Sequence, residues 1–168
     1  MMTSVKILCM ATMAMELGDG TPQSDFACSN MTHLVEVSKK YELDPALLLS
    51  LIHHESRWKP KAKSKYGACG LTQVVPKWTG RPTGGKKYTC EELFDPQTSI
   101  SVGAQVLSFW IRNYGKGNLR VGLCGYNAGY RCKGADPMRS GLSYADRVRR
   151  TARKINRLSK RLEKKAKK

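Results

Sequence analysis

Acid is scarce in this chain beside base. Thirteen Asp and Glu stand against 30 Lys and Arg in 168 residues, a formal net charge of +17. So lopsided a balance argues against a cationic partner and predicts anionic surroundings. The six cysteines include no CxxC pair, which weakens a zinc reading. There is no long apolar run, so no transmembrane anchor is expected. Nothing reads convincingly as a strand, and no internal repeat is visible. Gly67 and Gly70 are not followed by the helix start and lysine of a phosphate-binding loop, and read as turn residues instead. His53 and His54 are adjacent, and on a helix they would point about 100° apart, so a shared metal ion is not expected. Neither a metal nor a cofactor is implied.

What is present is enough for one domain with a buried core, 40% of the residues being apolar. The positive charge gathers at one end. From Arg147 onward twelve Lys or Arg face the single acid Glu163, a balance of +11, which leaves 17 − 11 = +6 for the other 146 residues. The opening segment, "MMTSVKILCMATMAMELGDG", has the outline of a short export signal with a thin charged region. A disordered leader or a first apolar helix fits it as well. Cys69 and Cys90 bracket a Gly- and Lys-rich loop, and Cys124 and Cys132 bracket "GYNAGYR". Two local disulfides are the economical reading, with Cys28 free or paired with Cys9; buried free cysteines are the alternative.

The apolar spacing predicts helices throughout. Ser29 is placed to cap one carrying Met31, Leu34, Val35 and Tyr41. Asp44 and Pro45 open a second, "PALLLSLIHHESRW". A third follows "FDPQTSI", with Gly115 as its stop, and Asn118 can start a short fourth ending near "GYNAG". The last is expected from about Tyr144, with Val148, Ala152, Ile155, Leu158 and Leu162 as its stripe. A mainly α fold with a basic C-terminal helix follows.

One residue breaks the pattern. Leu47, Leu48, Leu51, Ile52 and Glu55 follow spacings of one, three and four, so a carboxylate continues an apolar stripe. Apolar neighbours and a helix C-terminus both disfavour its ionised form, and no cation is fixed beside it by local spacing. An acid kept protonated near neutral pH suits protonation of a glycosidic oxygen. A helix-edge glutamate bonded to backbone or paired with a distant Arg is the plain alternative. Glu91, Glu92, Asp95, Asp136 and Asp146 lack this setting and read as capping or solvated acids. Trp58 and Trp78 could stack on sugars or belong to the core, whereas Trp110 reads as core.

Three stretches in order, "HHESRWKPKAKSKYGACGLTQVVP", "FDPQTSISVGAQVL" and "LCGYNAG", resemble the SLT-type lytic transglycosylase domain, a relative of goose-type lysozymes. The resemblance implies a lysozyme-like helical domain over residues 28–157, with a leader or weak signal at 1–27 and a basic tail at 158–168. It implies cleavage of peptidoglycan glycan strands between N-acetylmuramic acid and N-acetylglucosamine. In that family's pattern Glu55 falls on the catalytic acid, Ser64 and Gln73 on glycan-contacting positions, and Tyr126 with Asn127 on the pair lining the cleft. Tyr144 matches a tyrosine that helps hold the acid. The implied mechanism needs one carboxylate. Glu55 protonates the leaving oxygen, the substrate's acetamido group supports the sugar cation, and Glu55 then takes the C6 hydroxyl proton as the anhydro ring closes.

Cys69, the pair Cys124 and Gly125, and Tyr130 depart from the family's usual residues, which bears on cleft shape rather than on chemistry. Two rival readings stand beside this one. A hydrolytic muramidase would keep the fold and add water; a nucleic-acid-binding protein would use the basic tail, although no DNA- or RNA-binding module is recognisable. The expected setting is the cell envelope or periplasm, reached by export or by delivery in a phage virion, with anionic envelope polymers as partners of the tail.

Overall fold

Asp44 shows how the sequence starts its helices. Its carboxylate accepts the Ala46 N–H at 2.9 Å, with Pro45 in the first turn, and α4 then runs Pro45–Ser56. The computed structural model describes residues 4–14, 22–133 and 139–167. Before α4 come α1 (Ser4–Thr12), α2 (Pro22–Ser29) and α3 (Met31–Lys40). After it come α5 (Cys90–Phe94), α6 (Pro96–Phe109), α7 (Leu119–Ala128) and α8 (Arg139–Ala166). Among the described residues there is no strand; only isolated bridges join Lys63, Cys69 and Val74. This is the mainly α architecture expected.

α4 is buried nearly all round, Ala46 to His53 without interruption, because it lies between two apolar clusters. Leu48, Leu49 and Ile52 meet Met31, Leu34, Leu71 and Ile155 on one side. Leu47 and Leu51 meet Leu107, Leu123, Val148 and Ala152 on the other. α8 closes the second side, and its far half packs on α1.

Local details differ from the sequence expectation in instructive ways. Ser29 does not cap α3; it ends α2, its hydroxyl donating to the Phe26 carbonyl, and Asn30 stands at the junction. Gly115 does terminate its helix, but not through a left-handed conformation, since its φ is −72°. The helix widens to a π turn over Trp110–Tyr114, and a Cβ at 115 would sit 2.6 Å from the Asn118 carbonyl oxygen, so close backbone approach is what requires glycine. Asn118 caps α7 as expected, accepting the Val121 N–H at 3.1 Å. α8 begins at Arg139, before Tyr144, and does not break at residue 158: Leu158 and Leu162 pack on the core and Ser159 is buried.

Residues 4–12, inside the expected leader, form an apolar helix whose Ile7, Leu8 and Ala11 are buried. Three disulfides are present: Cys69–Cys90 and Cys124–Cys132 as the loops suggested, and Cys9–Cys28, which ties α1 to α2. No described helix is long and apolar enough to cross a membrane.

Candidate active site

Glu55 lies one residue before α4 ends, and the end is abrupt. Arg57 and Trp58 both take left-handed conformations, with φ of 51° and 60°, and the Arg57 N–H returns to the His53 carbonyl at 3.2 Å. Two non-glycine residues in that region cost about 1 kcal/mol or more each, so tertiary contacts must hold them. Burial of Trp58, only 1% exposed, supplies the restraint. The same burial settles that Trp58 is core and offers no sugar-stacking face. Trp78, 67% exposed, remains available to stack.

α8 fixes Glu55 from the other side. Ser50 donates to the Val148 carbonyl at 2.7 Å, His54 meets the Thr151 hydroxyl at 2.9 Å, and the Tyr144 hydroxyl donates to Glu55 Oε1. These links line one face of α4 against α8. His53 is turned away and engages the Arg57 guanidinium at 2.9 Å, so Arg57 does not neutralise Glu55. No His, Cys, Asp and Glu cluster among the described residues could hold a metal ion.

The electrostatic result follows from these contacts. Burial raises the Glu55 carboxyl to a pKa of about 7, opposed only by the Tyr144 hydrogen bond, which favours the ionised form. Burial, together with the nearby Glu55 charge, pushes both the Tyr126 and Tyr144 hydroxyls well above the usual phenol range, so both stay protonated as donors. Tyr126 donates to the Thr72 carbonyl at 2.7 Å, and Thr72 is held by Ser99 through its hydroxyl at 2.9 Å. Glu55, Tyr126 and Tyr144 therefore form one cluster.

The loop from Ala62 to Val74 reaches this cluster through the Thr72 carbonyl that Tyr126 holds. Ser64 accepts the N–H groups of Tyr66 and Ala68 at 3.2 and 3.1 Å, which closes the turn and leaves its hydroxyl proton to donate. Gln73, at φ 50°, gives its amide nitrogen to the carbonyls of Ala62 and Gly70, both at 3.0 Å, so its amide oxygen is left to accept. Gly70 is indispensable for that turn: its φ is +76°, and a Cβ would lie 2.0 Å from the Leu93 carbonyl oxygen. The Cys69–Cys90 disulfide ties this loop to α5. Asn127 is exposed on α7, directly after Tyr126.

Of the other acids singled out in the sequence, Glu91 is exposed in the first turn of α5, and three more are engaged in caps or an ion pair. Glu92 completes a capping box with Thr89, and Asp95 accepts the Thr98 N–H at 2.8 Å at the start of α6, contacts that hold both below the usual carboxylate range. Asp146 is gripped by Arg120 through two 2.8 Å bonds. Asp136 lies outside the described residues. Sequence reasoning missed Thr72, Ser99, Thr151 and the Ser50–Val148 link. Buried polar side chains in apolar helices are a weak signal for the last of these, and the carbonyl of Thr72 carries no signal at all.

Comparison with known proteins places the chain in a family. The profile of the Transglycosylase SLT domain matches residues 34–141. Membrane-bound lytic murein transglycosylase E of Buchnera aphidicola is 36% identical over 81 residues, covering 45% of this chain and 37% of that protein. Soluble lytic murein transglycosylase of Escherichia coli K12 is 32% identical over 95 residues, covering 52% of this chain and 14% of that protein. The chain thus spans well under half the length of these relatives. The solved lytic transglycosylase Slt of Pseudomonas aeruginosa, an inactive variant, superposes with a TM-score of 0.64 over 88% of this chain and 26% of its own, at 22% identity, and so shares the fold. With the profile covering more than half of its length, the chain belongs to the Transglycosylase SLT domain family.

Proposed function

We propose that the protein is a peptidoglycan lytic transglycosylase that cleaves the β-1,4 bond between N-acetylmuramic acid and N-acetylglucosamine without water, leaving a 1,6-anhydromuramoyl end. The observation that carries this is Glu55: a carboxyl whose pKa is raised to about 7 by burial and aimed by Tyr144. Near neutral pH it can deliver a proton to the glycosidic oxygen, and the carboxylate so formed can remove the C6 hydroxyl proton. Tyr144 is a positioning residue that occupies one oxygen of Glu55 and leaves the other for the substrate. Ser64, Gln73, Tyr126 and Asn127 bind the glycan, Ser64 as donor and Gln73 through its amide oxygen. The solved relative is described as inactivated by a Glu→Gln exchange, which supports one glutamate as the essential group.

A water-adding muramidase commonly uses a second, ionised carboxylate on the opposite face of the sugar. Among the described residues, Glu92, Asp95 and Asp146 are committed to caps and an arginine, which favours the single-acid route. Digestion of purified sacculi followed by intact-mass analysis tests the reading. Products one water lighter than reducing muropeptides, absent with Glu55→Gln, are expected; products of full hydrated mass would identify a hydrolase.

α8 supplies the second part of the reading. Its apolar face is spent on α1, α4 and α7, so Arg150, Arg153, Lys154, Lys160, Arg161, Lys164 and Lys165 stand exposed on an ordered helix. We assign this face to anionic polymers of the cell envelope, where the enzyme would work after export or phage delivery; nucleic acid is the alternative anion. Attraction of this kind is screened over about 8 Å at physiological salt.

A further inference from the structure

Between Thr79 and Tyr88 the chain makes a loop with Arg81, Lys86 and Lys87 and no acid. It is tied at its base: the buried Thr79 accepts the Tyr88 N–H at 3.0 Å, and Thr83 donates to the Thr79 carbonyl at 3.0 Å. Arg81 leaves this loop and crosses to the end of α7. There it donates to the Tyr130 hydroxyl at 3.2 Å, with its guanidinium carbon 5.8 Å from the centre of the Phe109 ring. No carboxylate among the described residues pairs with it.

Tyr130 is itself held firmly. Its ring packs against Trp110 and Tyr114 at centroid distances of 5.1 and 5.5 Å, and its carbonyl accepts the Tyr114 hydroxyl at 2.8 Å. The Cys124–Cys132 disulfide pins the turn on which it sits. Yet the residue is 61% exposed. Its oxygen accepts from Arg81, so its own proton is left to donate outward, beside the unused N–H groups of the guanidinium. The packed phenol and the guanidinium bonded to it thus offer adjacent donors that no anion among the described residues occupies, and a planar guanidinium matches the two oxygens of a carboxylate. Tyr130 stacks on Trp110, and Trp110 and Tyr126 pack against the same two apolar clusters, so the pair stands on the elements that also carry Tyr126.

We propose that Arg81 and Tyr130 form a carboxylate-recognition subsite that makes the enzyme prefer glycan strands bearing stem peptides with free carboxyl groups. This rests on the lytic transglycosylase reading, which supplies the substrate. Lysine in place of Arg81 would keep the charge but lose the fork, and phenylalanine in place of Tyr130 would remove one donor while keeping the ring packing.

The test compares soluble peptide-bearing glycan strands with the same strands after their peptide carboxyl groups have been amidated. For the wild-type protein, amidation should raise KM about five-fold with kcat unchanged, the size of one exposed charge-assisted contact. Arg81→Gln should show that higher KM on both substrates, Tyr130→Phe a smaller loss, and Arg81→Lys a partial preference. An Arg81→Gln variant impaired equally relative to wild type on native and amidated strands would overturn the proposal, as would one indistinguishable from wild type on both. Equilibrium binding of the Glu55→Gln variant to the two strand types reads the same preference without turnover. Failure of the activity reading, no cleavage of either substrate by wild-type protein, is thereby kept separate from failure of the subsite.

Discussion

Replacing Glu55 with glutamine should make the folded protein more stable at neutral pH while silencing it. The folded-state carboxyl has a pKa of about 7 against 4.5 for an ordinary glutamate. Below pH 4.5 both the folded and unfolded chains hold the proton, and the group costs nothing. Between 4.5 and 7 only the folded chain holds it, unfolding releases it, and each rise in pH therefore favours the unfolded state. Above 7 the penalty is complete. At 1.36 kcal/mol per pH unit, the difference between the two values is about 3 kcal/mol of stability lost by the wild type. Glutamine can keep a hydrogen bond to Tyr144 and does not titrate, so the variant escapes this loss. Urea unfolding of the disulfide-intact protein at pH 4 and pH 8 reads the effect. Near-coincident curves are expected at pH 4, with the variant ahead by about 3 kcal/mol at pH 8, or roughly 6 to 12 °C in Tm. A difference that does not change with pH, or a less stable variant at pH 8, would mean that Glu55 is hydrated and ionised in the fold, and the general-acid argument would go with it.

The same protonation sets the pH profile: kcat/KM should fall as pH rises through about 7, measured by muropeptide release in buffers of constant ionic strength. Tyr144→Phe removes the hydrogen bond that favours the ionised form, so that limb should move to higher pH while kcat drops about ten-fold from lost positioning. Exchanging Lys160, Arg161, Lys164 and Lys165 for glutamine should weaken pelleting with sacculi at low salt, leave it unchanged at high salt, and spare turnover of short soluble glycans. Converting Cys9 and Cys28 to serine together should cost about 3 kcal/mol of stability in denaturant titration, since their bond closes a loop with a sequence separation of 19 residues and fastens α1.

Sequence alone determined the helices whose signals are local. Asp44 with Pro45, Asp95 with Pro96 and Asn118 each cap a helix as their side-chain chemistry requires, because capping needs only residues two or three positions away. It also located the carboxylate, since Glu55 stands on an apolar stripe defined by neighbours within two turns. Two disulfides were legible because each spans one loop. Only the tertiary structure decided what surrounds that carboxylate. Tyr144 reaches it across 89 residues, and Ser50 and His54 find α8 across 98 and 97. Such pairings depend on how α4 and α8 cross, which no local pattern states. Trp58 could have served a sugar or the core until two left-handed residues turned it inward. The sequence put Leu158 and Leu162 on the stripe of the last helix but could not say what that end of the stripe would meet. The helix continues there because Leu158 and Leu162, spaced four apart, find a partner surface in α1, a helix nearly 150 residues earlier in the chain. Burial and long-range contact are properties of the whole fold, so the chemistry of Glu55 could be suspected from its neighbours in sequence but was fixed by its neighbours in space.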